Sequence, residues 1–239
     1  MTAVELYREG RLDEAIQALG DALRKEPADA QRRVFLFELL CFAGQLDRAE
    51  KQLDVLARNG SDSQLGALLY RAALHAERTR QEMFATGAFP ESGLTPKPVS
   101  GKLNGQPFSS LTDADPRIGA RLELFAAGEY MWIPLEHIES VRIEAPKRLR
   151  DLCWTPAVVV TGPSFEGREM GELLTPALAP LSHTHPDGEI RLGQATEWVR
   201  AADGTEVPLG QKLLLVDGEE FPLLELRELT IDPSREAAA

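Results

Sequence analysis

The densest group of reactive side chains in this 239-residue chain is His183-Thr184-His185-Pro186-Asp187. Alternating histidines on an extended segment face one side, and Asp187 or Glu189 can add oxygen ligands for a divalent cation. On that reading His183, His185 and Asp187 are candidate metal ligands at the centre of a metal-dependent enzyme. Only His75 and His137 occur elsewhere, however, and no HxxE or cysteine pair accompanies the cluster. Pro186-Asp187-Gly188 reads as a turn, and histidines before a turn commonly bond its backbone. The structural or interaction role is therefore the preferred expectation, with no cofactor.

Other chemistry is poorly supported. The Thr161-Gly162-Pro163-Ser164 and Glu166-Gly167-Arg168 loop lacks the GxxxxGK[ST] pattern that cradles phosphate. Ser164 has no GxSxG setting. Cys41, on an apolar helix, and Cys153, beside Trp154, read as buried thiols without an electropositive motif. The acidic pairs Glu219-Glu220 and Asp113/Asp115 read as solvated. Arg148, Arg150 and Asp151 suggest an ion-pair set around Trp154, with a peptide-carboxylate site as the alternative. Trp132, Trp154 and Trp198 are expected as core anchors, or as interface hot spots.

The formal charge of −12 argues against nucleic acid, which demands a basic face. No run approaches the roughly 20 apolar residues that span a bilayer, and the charged N-terminus lacks a signal-peptide core. The expected compartment is the cytoplasm.

The elements that would position any site divide the chain in two. Gly44 follows Gly10 by 34 positions, and Leu12, Asp13, Ala15 and Leu19 recur as Leu46, Asp47, Ala49 and Leu53. That period is the length of a tetratricopeptide helix–turn–helix unit, which holds polypeptides in a groove. Helices are expected over 12–25, 30–42, 46–58 and 64–86, after a short one containing Val4, Leu6 and Tyr7. The last should bury Leu65, Leu68, Leu69, Ala72 and Leu74, and Asn59-Gly60-Ser61 should turn. In the repeat register the groove shows Val4, Tyr7 and Arg8, then Gln31, Val34, Glu38, Cys41 and Phe42, then Leu65, Leu68, Ala72 and His75, unless the rest of the chain covers them. The expected fold is α+β: an all-helical tetratricopeptide-like region over 1–88, a Pro/Gly linker over 89–99, a strand-rich α+β domain over 100–232 and a disordered tail over 233–239. Strands or hairpins are expected at Asn104-Gly105, Arg121–Pro134, Val141–Glu144, Ala157–Thr161, Glu197–Arg200, Lys212–Val216 and Leu223–Leu226, with turns at Asp203-Gly204 and Asp217-Gly218. Leu135–Ile138 and Lys147–Leu152 read as short helices.

Within the second region, Ala145 to Ala157 (APKRLRDLCWTPA), His183 to Trp198 (HTHPDGEIRLGQATEW) and Leu209 to Leu229 (LGQKLLLVDGEEFPLLELREL) resemble the ImpE family, also called TagJ or SciE, of bacterial type VI secretion loci. Gly128 to Pro134 and Asp113 to Gly119 resemble it too. The resemblance implies a non-enzymatic accessory protein that binds a helical segment near the N-terminus of the small sheath subunit (TssB or VipA type). It also implies a link to sheath handling by the ClpV unfoldase. An amphipathic helix in the repeat groove is compatible with that role. A self-associating scaffold is the third possibility.

Overall fold

The computed structural model describes residues 1–59, 61–89, 99–162, 169–201 and 203–233. Most of the expected linker, the 163–168 loop with Ser164, and nearly all of the expected tail lie outside the described residues.

Five helices open the chain: α1 (Ala3–Arg8), α2 (Leu12–Lys25), α3 (Ala30–Phe42), α4 (Leu46–Leu56) and α5 (Ser61–Thr86). Thr2 and Glu5 start α1 with a reciprocal capping box, and Asp29 caps α3 by accepting from the Arg32 amide at 2.9 Å. The two repeat turns share one hydrogen-bond pattern. Arg11 N–H donates to Leu6 C=O and Gly10 N–H to Tyr7 C=O; Gln45 N–H donates to Leu40 C=O and Gly44 N–H to Cys41 C=O. These are Schellman closures, which need a left-handed residue, and Gly10 and Gly44 supply φ of 71° and 65°. Ala15 and Ala49 are fully buried, with Leu19 and Leu53 nearly so, as closely packed antiparallel helices require.

Helix α4 is continued by a 3₁₀ turn, Ala57–Asn59, and α5 begins at Ser61; Gly60 lies outside the described residues. The orientation of α5 corrects the sequence reading. Leu65, Leu68 and Leu69 are 71%, 63% and 52% exposed, whereas Ala67, Ala73, Leu74, Ala76, Glu77, Arg80 and Phe84 are buried. The helix turns small residues and two charges inward because it packs closely on α4 and on a sheet carrying matching charges.

That sheet is antiparallel, with strand order β2-β1-β13-β6-β7-β8-β4-β5 among the described residues. Its members are β1 (Gly101–Leu103), β2 (Gln106–Phe108), β4 (Arg121–Ala126), β5 (Glu129–Pro134), β6 (Ile138–Ile143), β7 (Trp154–Thr161), β8 (Glu169–Pro176) and β13 (Glu228–Ile231). A smaller sheet joins β12 (Glu219–Pro222), β11 (Leu213–Val216) and β3 (Leu111–Asp113), and β9 (Thr196–Arg200) pairs with β10 (Glu206–Gly210). Hairpins turn at Asn104-Gly105, Ala127-Gly128 and Asp217-Gly218, each with positive φ at both residues, as the right-handed twist of the strands favours. Leu223–Glu225 is a 3₁₀ turn, not a strand: it follows Pro222, and Leu223 is fully buried against the sheet core. Leu135–His137 and Leu149–Leu152 are 3₁₀ turns as well, and α6 is the single turn Gly188–Arg191.

The core has two parts. One lies within the strands, around Leu124, Val141, Val159 and Leu223. The other is the helical core, and it extends across the junction to include Phe125, Cys153, Trp154 and Leu192. The helical part of the core therefore joins repeats to sheet.

A Cβ at Gly44 would lie 2.4 Å from His183 Cδ2, in addition to the strain of a left-handed alanine. Gly44→Ala should therefore lower unfolding free energy by about 1–3 kcal/mol, read by urea denaturation. Gly20→Ala, in α2 with open space around it, should raise it by roughly 0.5–1 kcal/mol.

Candidate partner-binding site

Three sets of contacts fix the helices on the sheet and decide what surface is left. The first is a buried ionic cluster. Glu123 on β4 is fully buried; its carboxylate accepts from Arg80 Nε of α5 at 2.7 Å, from Lys212 Nζ just before β11, and from the Tyr130 hydroxyl of β5 at 2.5 Å. Lys212 also pairs with buried Asp113, and Arg80 Nη2 donates to Leu178 C=O at 2.9 Å. Glu77, one turn before Arg80, accepts from Trp154 Nε1 at 3.2 Å. Burial pushes the Glu123 pKa upward, but Arg80 and Lys212 outweigh it and hold the carboxyl below its ordinary value. Burial raises Glu77 and Asp113, against the opposing pull of Arg80 and Lys212 respectively. Asp113 and Asp115 are thus buried, not solvated: Asp115 holds the Arg117 guanidinium at 2.6 Å. The cluster is saturated with its own partners and sealed, so it acts structurally.

The second set fills the expected groove. The 3₁₀ turn Leu149–Leu152 with Cys153 and Trp154 lies against α3. Arg150 reaches Glu38 at 3.0 Å and the Tyr70 hydroxyl at 2.6 Å, with its guanidinium 4.8 Å from the Tyr70 ring centre. Glu38, Cys41 and Phe42 are consequently buried and cannot line an open groove: the chain's own ImpE-like block occupies that position. Desolvation raises the thiols of Cys41 and Cys153 well above the usual range. Asp151 does not pair with Arg148 or Arg150 through side chains; it accepts from the amides of Lys147 and Arg148, each at 2.9 Å.

The third set employs the histidine segment. His183 abuts Gly44, while a Cβ at Gly188 would fall 1.8 Å from Gly10 C=O. Arg191 pairs with Asp13 at 2.8 Å, and Gln194 donates to Tyr7 C=O at 3.3 Å. One short segment thus rests on the equivalent turn of both repeats. Burial, with Arg191 and Arg80 nearby, lowers the His183 pKa. His185 Nδ1 accepts from the Asp187 amide at 3.1 Å, its Nε2 lies 3.4 Å from Glu197, and Asp187 caps α6 through the Glu189 amide. Among the described residues no group of three or more His, Cys, Asp or Glu is placed to hold a metal. Trp154 is a core anchor, Trp132 stacks on Phe89 with ring centres 5.8 Å apart, and Trp198 is 40% exposed on the β9–β10 hairpin.

What stays open lies beside the filled groove. A cleft of 430 Å³ is bounded by Val4, Tyr7 and Arg8 of α1, Phe35 of α3, and the 146–149 and Leu152 segment. Val34 is half-buried next to Phe35; Leu65, Leu68 and His75 are exposed on α5. Of the expected groove residues, then, Val4, Tyr7 and Arg8 are the ones at the cleft, and sequence missed Phe35, Leu149 and Leu152. The amphipathic 146–152 stretch was the available signal.

Helical repeats closed by an antiparallel strand region, with an apolar cleft beside a saturated ionic junction, define a tetratricopeptide-type scaffold joined to a strand-rich domain. Residues 105–230 match the ImpE protein family and residues 6–73 match a tetratricopeptide repeat. The type VI secretion system accessory component TagJ of Pseudomonas aeruginosa is 34% identical over 98% of this chain and 92% of its own length. The chain belongs to the ImpE family. Its fold is also that of the crystal structure of protein VPA1032 from Vibrio parahaemolyticus, with TM-score 0.83 and 23% identity, covering 98% of this chain and 99% of that one. No described helix is long and apolar enough to cross a membrane.

Removing one partner from a buried ion pair leaves an uncompensated charge. Lys212→Met should therefore destabilise the protein by about 3–5 kcal/mol, measured by denaturant unfolding. Arg78→Met, which removes partly exposed pairs to Asp47 and Glu50, should cost no more than about 1 kcal/mol.

Proposed function

We propose that this protein is a non-enzymatic, cytoplasmic accessory component of a type VI secretion system. In this reading it docks an N-terminal helical segment of the small sheath subunit and thereby modulates sheath assembly or its recycling by the ClpV unfoldase. Family membership supports the system, as does the Pseudomonas relative, a type VI secretion accessory component. The observation that carries the binding mode is the cleft formed where α1 and α3 meet the 146–152 segment. Val4, Tyr7, Phe35, Leu149 and Leu152 give it an apolar lining of the kind that receives the apolar face of an amphipathic helix. Arg8, Lys147 and Arg148 at its margin suit acidic residues flanking those anchors. Both regions of the chain contribute walls, which explains why the repeats come with the strand region attached.

Calorimetry with a peptide covering the N-terminal helix of the cognate small sheath subunit should give one-to-one binding at micromolar strength or better, about −8 kcal/mol. Phe35→Glu should weaken it at least about tenfold with the fold retained, whereas Leu68→Glu, on the far exposed face of α5, should leave it unchanged. Loss of binding in Leu68→Glu with full binding in Phe35→Glu would move the contact to α5 and refute the cleft.

A further inference from the structure

A second concavity of 750 Å³ opens on the other side of the Pro146–Arg148 ridge, and the sheath-binding reading makes no use of it. In a chain of net charge −12, four cations (Arg142, Lys147, Arg148 and Arg227) gather around it against two carboxylates, Glu144 and Asp151. Both carboxylates are already engaged: Glu144 with Lys147, and Asp151 with the Lys147 and Arg148 amides. Arg227 is held in place by donating to Leu224 and Leu226 C=O at 2.7 and 2.8 Å, so its position is fixed by the backbone and not by a counter-charge.

An independent feature points to a ligand. Thr155, at the start of β7, lines the same concavity, is fully buried, and its hydroxyl has no hydrogen-bond partner. A buried hydroxyl left unsatisfied costs about 1–3 kcal/mol, so such groups normally have a protein, water or ligand partner. The unpartnered hydroxyl has no exposed surface, so an anionic oxygen drawn in by the cations reaches it only where the wall of the concavity yields. The volume far exceeds that of one small anion, and Leu69, Tyr70, Pro156 and Val158 supply apolar wall between the charges. Leu65 and Leu68 continue that apolar character outward along α5.

We propose that this concavity is a binding site for an acidic peptide segment. One carboxylate meets the Arg142–Arg227 side and, as the wall yields, Thr155 Oγ1, and neighbouring apolar side chains lie against Leu69 and Tyr70. The site shares the Pro146–Arg148 ridge with the Tyr7–Phe35 cleft, whereas Arg142, Arg227 and Thr155 belong to it alone.

The test is fluorescence anisotropy of the full chain with a labelled hexaglutamate peptide at low and physiological salt. Saturable binding is expected, with affinity reduced at least about tenfold in an Arg142→Glu, Arg227→Glu double variant. Both side chains are exposed, and melting curves confirm that the variant folds. Arg200→Glu, an exposed cation on β9, is expected to change affinity less than twofold. Thr155→Val is the discriminating variant. It should weaken peptide binding about threefold or more while leaving the unfolding midpoint unchanged or higher, since it replaces an unsatisfied hydroxyl by a methyl. Wild-type affinity in the double variant, or an equal loss in Arg200→Glu, would overturn the proposal. So would unchanged binding with lower stability in Thr155→Val. Displacement of the peptide by an equal concentration of inorganic phosphate would also overturn it, in favour of a simple anion site.

Discussion

A carboxylate with no access to water governs this architecture. Glu123 can remain ionised inside the protein only because Arg80 and Lys212 come to it from different directions, one from α5 and the other from the approach to β11. Neither cation would tolerate burial alone, and Asp113, Tyr130 and Leu178 C=O complete the set. The charges belong to both halves of the chain, so neither half can bury its share without the other. The apolar core follows the same rule: Phe125, Cys153 and Trp154 are packed among helical residues. A tetratricopeptide array closed in this way is a wall of a larger body, and its inner face is available only where the strand region leaves it bare.

Two motifs acquire their meaning from that closure. The His183-to-Arg191 segment reads as chemistry when seen as a string of ligating side chains. In the fold it is a brace, resting His183 on Gly44 and Gly188 on Gly10. The repeat glycines therefore do two things at once: they reverse the chain with positive φ, and they leave space for a second segment to touch the turn. The APKRLRDLCWTPA block similarly becomes the filling of the groove, with Arg150 paired to Glu38. The open clefts flank this block on either side.

Local structure was largely legible. The limits of α2 and α3, and the hairpins at Asn104-Gly105, Ala127-Gly128 and Asp217-Gly218, follow from repeat spacing, caps and turn chemistry, all encoded within a few residues. What failed was the direction in which elements face. Leu65, Leu68 and Leu69 form an apolar stripe that a periodicity argument places inside, yet α5 buries Ala67, Ala73, Ala76, Glu77 and Arg80 because its neighbour is a charged sheet at close range. Asp113 looked solvated because its partner, Lys212, lies far along the chain. Phe35 was passed over for Phe42 because repeat register identifies an inner face but says nothing of what covers it. Strand β8 was missed because its sequence is not alternating in the way a half-exposed strand is, and its pairing with β7 is interrupted by a register shift.

Hydrogen–deuterium exchange of the full chain, with and without the N-terminal helix of its cognate small sheath subunit, tests the central claim most directly. Binding in the cleft left open beside the filled groove predicts new protection in α1, in the first turns of α3 and across residues 146–152, with the His183–Arg191 segment unchanged. Protection confined to the exposed face of α5, or exposure of the 148–154 block as though a partner displaces it from the groove, would contradict the account.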